Sequence, residues 1–340
     1  MEGGGGREER RETEDQLRHI DERPQSSRMS PAFATLVATV AALQPQQPNK
    51  INKIDVSKAA ASIEELRIAE ALGYKITDRA GSGAYGSVLL SDDVAIKLAP
   101  RPAPHLKIEA DILKAMRGEP GFPELHHRVF GEQFDALVME RLGPSLHDVW
   151  EQTQQTQIDG QSVLRHGRGL LSCIRRLHER GYVHNDLKPA NILLGKDGSE
   201  EVHLIDFGLS TRRGEEAASP PSGGPVGTPL FASLAVHEQK PTLPVHDVES
   251  MVYVLCYLAA GTLPWERKPP SRGAFLKRKM LEDGCDTLMD SCASERLTED
   301  VHAQETVDAL QLVWLEVIAA HDGGQELDYD ACERALKGGA

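Results

Sequence analysis

His184-Asn185-Asp186-Leu187-Lys188-Pro189-Ala190-Asn191 is the stretch on which the reading of this chain turns. It fits H-x-D-x-x-x-x-N and sets a carboxylate, a cation and an amide close together in one loop. Asp186 is a candidate base, Lys188 a candidate for neutralising negative charge, and Asn191 a candidate hard oxygen ligand. Downstream, the apolar run Val202-His203-Leu204-Ile205 leads into Asp206-Phe207-Gly208, which adds a second carboxylate at a turn. Each piece has an ordinary reading when taken alone. Asp-Phe-Gly is a common turn, and His184 is better placed as a packed core histidine than as a catalyst. Their order and spacing argue for a site.

Upstream, Gly81-Ser82-Gly83-Ala84-Tyr85-Gly86-Ser87-Val88, with Ala80 before it, fits G-x-G-x-x-G-x-V. Glycine lets backbone approach a polyphosphate, having no Cβ to clash and free access to positive φ. The motif also fits a dinucleotide-binding turn, but there the third glycine opens a helix and an acidic residue follows about twenty positions on. Here the loop runs into a short apolar strand, turns at Ser91-Asp92-Asp93, and returns as Val94-Ala95-Ile96-Lys97. Strand alternation aims Ala95 and Lys97 at one face, a small residue beside a cation. Glu109, on the helical stretch 105–117, is the carboxylate expected to pair with Lys97. It stands at the start of an Ile108/Ile112/Leu113 stripe, while Asp111 points elsewhere on helical spacing.

The wider chain has 340 residues and a net charge of −14, which argues against sequence-independent nucleic-acid binding because that needs many basic side chains. Its five cysteines are odd in number and lack C-x-x-C spacing, as free thiols do. No apolar run approaches the roughly 20 residues of a membrane span. Ala32 to Leu43 is short, rich in Ala and Thr, and preceded by a charged stretch unlike a signal peptide. A cytoplasmic or nuclear monomer is expected. Residues 1–54 read as a disordered tail and Pro/Gln linker. Residues 55–72 read as a helix with Val56, Ala59, Ile63, Leu66 and Ala69 on one face, and Ser62 and Glu65 have capping-box spacing. Further strands are expected at Leu125 to Phe130, Ala136 to Glu140, Ile192 to Leu194 and Val202 to Ile205, in a mostly helical second half.

One chemistry uses all of these groups. In phosphoryl transfer from ATP, Asp186 takes the proton of an attacking hydroxyl and Lys188 offsets charge on the group in flight. Asn191 and Asp206 supply oxygen ligands for Mg²⁺, and Lys97 meets the phosphates.

Residues 74–338 resemble the eukaryotic protein kinases, and within them the casein kinase I and vaccinia-related kinase group. The strings that carry the likeness are Met139-Glu140-Arg141-Leu142-Gly143-Pro144-Ser145-Leu146, Gly227-Thr228-Pro229-Leu230-Phe231-Ala232-Ser233, Asp247-Val248-Glu249-Ser250-Met251, Gly261-Thr262-Leu263-Pro264-Trp265 and Leu327-Asp328-Tyr329. Ser233-Leu234-Ala235 stands where Ala-Pro-Glu is usual, a substitution that this group shares. The resemblance implies an α+β bilobal fold over 73–338, with a five-stranded β lobe and one key helix (73–141) and a larger, mainly helical lobe (142–338). It implies that Met139 lies behind the adenine, that Glu140 and Leu142 offer backbone hydrogen bonds to it, and that Val88, Ala95 and Leu193 sandwich it. Thr228 would bridge Asp186 and Lys188, the serine/threonine pattern, and Asp247 would hold the catalytic loop from a buried helix. Protein hydroxyls would be the acceptors.

The likeness breaks at Asn185, where this family normally has the arginine that pairs with a phosphorylated activation loop. Activity independent of phosphorylation at Ser219, Ser222 or Thr228 is therefore expected. Arg212 and Arg213, just beyond Asp-Phe-Gly, are either a solvated pair or contacts for an acidic substrate. A pseudokinase scaffold would need a damaged motif, and Lys97, Glu109, Asp186, Asn191 and Asp206 are all present. A choline-type kinase would share the loop but usually lacks the combination of Lys188, Asp-Phe-Gly and Gly-Thr-Pro.

Overall fold

The computed structural model describes residues 63–83, 86–153, 158–215, 227–283, 303–323 and 326–338. The expected tail and linker, Val56, Ala59 and Ser62 lie outside these residues, as do Ala84, Tyr85, Ser219, Ser222, Cys285 and Cys292. The described chain forms two compact units. One ends at Lys114 and regains Glu124–Arg141; the other takes Ala115–Pro123 and everything from Leu142 onward.

The first unit is a five-stranded antiparallel sheet in the order β1-β2-β3-β5-β4. Its strands are β1 (Asp78–Gly83), β2 (Gly86–Leu90), β3 (Val94–Pro100), β4 (Leu125–Phe130) and β5 (Phe134–Glu140), joined by helices α1 (Ile63–Ala71) and α2 (Pro104–Ala115). The turn at 91–93 closes with the Ser91 N–H donating to Val94 O at 2.9 Å. The pleat of β3 separates two jobs. Val94, Ile96 and Leu98 point into an apolar core with Leu89, Ala136 and Val138, which is covered by Ile68, Ala69 and Leu72 from α1 and its end. Ala95 and Lys97 point to the opposite face.

This core keeps Ala69 of the expected face of α1 and corrects Leu66. Leu66 is 36 % exposed, whereas Ile68, Ala69 and Leu72 are buried. With Glu65 they form the i, i+3, i+4, i+7 set of a helix lying on a sheet. Each buried large aliphatic contributes about 1.5–3 kcal/mol, so the sheet face rather than the helix's own pattern chooses the side. On α2, Ile108 is likewise 39 % exposed, and the inward stripe is Leu106, Glu109, Ala110, Ile112 and Leu113.

The second unit is built around α6 (Pro244–Ala260), of which every residue from Val245 onward is buried. Among the described residues its other α-helices are α3 (Leu146–Gln152), α4 (Gly160–Glu179), α5 (Leu234–His237), α7 (Pro270–Asp283), α8 (Ala303–Gly323) and α9 (Tyr329–Leu336). Helix α4 starts where the Asp159 side chain accepts the Ser162 N–H at 2.9 Å, and α6 ends at Gly261 with φ +75°. Two short antiparallel ladders do the positioning. Strand β6 (Tyr182–Val183) pairs with β9 (Thr211–Arg212), and β7 (Ile192–Leu194) pairs with β8 (Val202–Leu204). The 184–191 loop leaves β6 and enters β7, while Asp206-Phe207-Gly208 leaves β8 and enters β9. The ladders therefore lay the two motifs side by side.

Candidate active site

In the second unit the Asp186 carboxylate is held at both oxygens. Lys188 Nζ donates to Oδ2 at 2.6 Å and Asn191 Nδ2 to the same oxygen at 3.2 Å, while the Thr228 N–H donates to Oδ1 at 2.9 Å. Asp186 is 5 % exposed. Three donors on a buried carboxylate fix the direction of its remaining lone pairs. The expected bridge through Thr228 takes another form: Lys188 reaches Asp186 directly, and Thr228 contributes its backbone amide. That amide can come so close because Gly227 precedes it. At Gly227 φ is +75°, and an added Cβ would lie 2.5 Å from Asp186 Oδ1.

Asn191 Nδ2 also donates to Asp186 O at 2.9 Å. With Nδ2 so committed, the Asn191 side-chain oxygen is the atom left for a metal. Asp206 adopts φ +66° as the chain leaves β8, and Phe207 behind it is fully buried against Phe122. Asn191 and Asp206 are the residues that could supply hard oxygens to Mg²⁺ together with phosphate and water. Among the described residues no group of three or more His, Cys, Asp or Glu could hold a metal by itself.

The frame behind the loop is built from buried polar groups. Asp247, on α6, accepts the backbone N–H of His184 at 2.6 Å and that of Asn185 at 3.0 Å, with His178 Nε2 at 2.8 Å. Burial would raise the Asp247 pKa, but the His178 hydrogen bond and the neighbouring histidines outweigh it and hold it below the usual value. His184 has the structural role expected of it. Its Nδ1 accepts the Asp186 N–H at 3.2 Å, its Nε2 meets Ile205 O at 3.0 Å, and its ring stands edge-on to Phe207. Accepting at Nδ1 makes Nε2 the protonated nitrogen, so one imidazole ties the catalytic loop to the strand before Asp206.

In the first unit, Lys97 Nζ lies 2.6 Å from Glu109 Oε2, with side-chain exposures of 12 % and 2 %. The pair expected from spacing is formed, and Asp111 instead meets Arg128 at the surface. In the β3–β5 ladder Ala95 faces Met139 and Lys97 faces Leu137, which puts the small residue, the gatekeeper candidate and the cation along one stretch of sheet. The Glu140 N–H is taken by Glu124 O at 2.9 Å. In the phosphate loop Ser82 stands opposite Ser87 and Gly83 opposite Gly86. Two of its glycines differ in kind. Gly86 has φ +118°, and a Cβ there would lie 2.1 Å from Leu98 O, so the fold itself requires glycine. At Gly81 a Cβ would meet nothing within 4 Å, so packing does not require glycine there.

A family model described as the protein kinase domain matches residues 74–309, well over half the chain. The chain belongs to the protein kinase family. Val88 and Ala95 are half-buried on the first unit of this kinase domain, and Leu193 is half-buried on β7 of the second. Leu142 opens the second unit, beside Gly143, whose N–H is taken by Leu194 O. Arg212 lies over the Tyr182 ring and Arg213 pairs with Glu326, so both have partners within the second unit. Sequence reading missed His178 and Tyr329 as parts of the frame. The Tyr329 hydroxyl meets His178 Nδ1 at 2.5 Å, and only the fold brings α9 to α4.

Proposed function

We propose that this kinase domain is an active serine/threonine protein kinase of the casein kinase I-like group, using ATP and Mg²⁺ and phosphorylating protein hydroxyls. The observation that carries the reading is the Asp186 carboxylate held by Lys188, Asn191 and the Thr228 amide, with the Lys97–Glu109 pair formed on the other unit. A damaged site would lack one of these.

Asp186 takes the proton of the acceptor hydroxyl as its oxygen forms a bond to the γ-phosphorus, and the bond from that phosphorus to the ADP oxygen breaks. Lys188, already at the carboxylate, offsets negative charge on the phosphoryl group, and Lys97, oriented by Glu109, offsets charge on the phosphates behind it. Mg²⁺ on Asn191 and Asp206 would neutralise the phosphate oxygens. Positioning and electrostatics supply most of the rate. The group assignment rests on the quoted strings and on Ser233-Leu234-Ala235. A monomer in the cytoplasm or nucleus, with no nucleic-acid partner, accompanies this reading.

The test is labelled ATP offered with casein, a basic protein and choline. Label is expected in protein serine and threonine, and Asp186→Asn should lower kcat about 10²- to 10⁴-fold with nucleotide affinity nearly unchanged. ATP bound with no acceptor labelled would indicate a scaffold, and label in choline a small-molecule kinase.

A further inference from the structure

Lys277, on α7, is completely buried, which is rare for a lysine. Its Nζ donates to Ala232 O at 2.6 Å, Pro229 O at 3.1 Å and Leu230 O at 3.2 Å. The rings of Tyr253 and Trp265 face it at 4.9 and 5.0 Å, and Trp265 Nε1 adds a second donor to Leu230 O at 2.7 Å. His237 Nε2 stands 3.2 Å from the amine and 3.1 Å from Pro229 O. One tautomer can serve only one of these contacts. Burial draws the Lys277 pKa down to about 7, with the Glu249 carboxylate acting the other way. No carboxylate lies within hydrogen-bonding reach of the amine among the described residues; carbonyls and ring faces surround it.

These carbonyls belong to one irregular segment, 229–232, outside the regular ladders; Ala232 is buried, and a buried carbonyl there needs a partner. The segment begins beside Thr228, whose N–H orients Asp186 Oδ1. Beyond it, the Leu234 N–H donates to Glu249 Oε1 at 2.7 Å. An acceptor hydroxyl must come within hydrogen-bond reach of Asp186, and this segment adjoins that point. Where Ala-Pro-Glu usually follows, this chain has Ser233-Leu234-Ala235, and two helices grip the segment instead.

We propose that Lys277 is a positioning residue for phosphoryl transfer: by gathering the carbonyls of Pro229, Leu230 and Ala232 it fixes the segment beside the acceptor hydroxyl and, through the Thr228 amide, the direction of the Asp186 carboxylate. The inference rests on the kinase reading of the site. Lys277→Met keeps the length of the side chain and removes its donors. In the full chain it should lower kcat for a protein substrate tenfold or more and raise the KM for that substrate. The nucleotide Kd, read by titration, should stay within twofold, and hydrogen exchange of 228–234 should speed up relative to α6. Unchanged kcat in a folded variant, or nucleotide affinity lost in step with turnover, would overturn the assignment. If the variant does not fold, exchange in the unsubstituted chain decides: protection of 228–234 comparable to α6 supports the anchor, and fast exchange removes it. If the unsubstituted chain transfers no phosphate, the kinase reading fails, while the exchange contrast still tests the anchor separately.

Discussion

At position 185 the backbone sits at φ +69°, a region asparagine tolerates better than most residues, and the side chain turns toward the start of the activation segment. Asn185 Nδ2 donates to Leu209 O and to Thr211 Oγ1, both at 3.0 Å. Thr211 Oγ1 in turn meets Thr242 Oγ1 at 3.1 Å. An arginine there would wait for a phosphate; this amide is already bonded to the segment. Phosphatase-treated protein should therefore keep its activity within about twofold, since the neutral Asn185 amide offers a phosphate no charged partner. Abolished activity, restored by one phosphorylated site, would refute this. Lys97→Met should lose transfer about 10²- to 10³-fold, the usual loss for one electrostatic donor, while the melting temperature stays near that of the unsubstituted chain. These residues were legible in sequence because their spacing follows from local chain geometry. The bonds of Asn185 were not, because Leu209 and Thr211 reach it only through the β6–β9 ladder.

Among elements, α9 reaches the 184–191 loop through two intermediaries. Tyr329 bonds His178 on α4, His178 bonds Asp247 on α6, and Asp247 holds the backbone of His184 and Asn185. Tyr329→Phe keeps the ring under Arg175 and strips the partner from His178 Nδ1. Stability should fall by about 1 kcal/mol, measured by denaturant unfolding, and kcat should fall severalfold with nucleotide affinity unchanged. Turnover equal to that of the unsubstituted chain would show that α9 only packs. Helix α1 teaches a related lesson. Its helical character was legible from periodicity, but of its buried face only Ala69 was. Glu65 turns inward because Ser87 Oγ, beside the phosphate loop, donates to it at 2.5 Å, and Leu66 is left outside.

For the molecule as a whole, buried bases set the response to acid. Burial pulls His237 and His246 down to about 4, so both are neutral in the folded chain at neutral pH. Unfolded, they take up protons near 6.5. The unfolded state thus binds more protons between about pH 6.5 and 4, and stability falls as pH drops through that window. Asp247 and Glu249 extend the loss. Burial opposes their ionisation, but hydrogen bonds from His178 and His321 leave both lowered, so their contribution is lost as pH falls below the ordinary carboxylate range. Lys277, pulled to about 7, gives the same slope above neutrality. The melting temperature should be several degrees lower at pH 5 than at pH 7, and His246→Gln should flatten the slope. A flat profile in the unsubstituted chain would contradict these buried neutral histidines.

The order of motifs from Gly81 to Asp206 determined the family and the two-part plan without coordinates, because each motif is a short run whose geometry is local. It also determined that Lys97 seeks Glu109, since a strand and the helix after it leave few partners. Only the tertiary structure decided that Thr228 acts through its amide, that Asn185 is tied to Leu209 and Thr211, that Lys277 gathers the 229–232 carbonyls, and that Tyr329 stands behind the 184–191 loop. Each of these joins residues far apart in the chain whose meeting depends on how helices pack, and packing is set by burial summed over many side chains rather than by any local pattern.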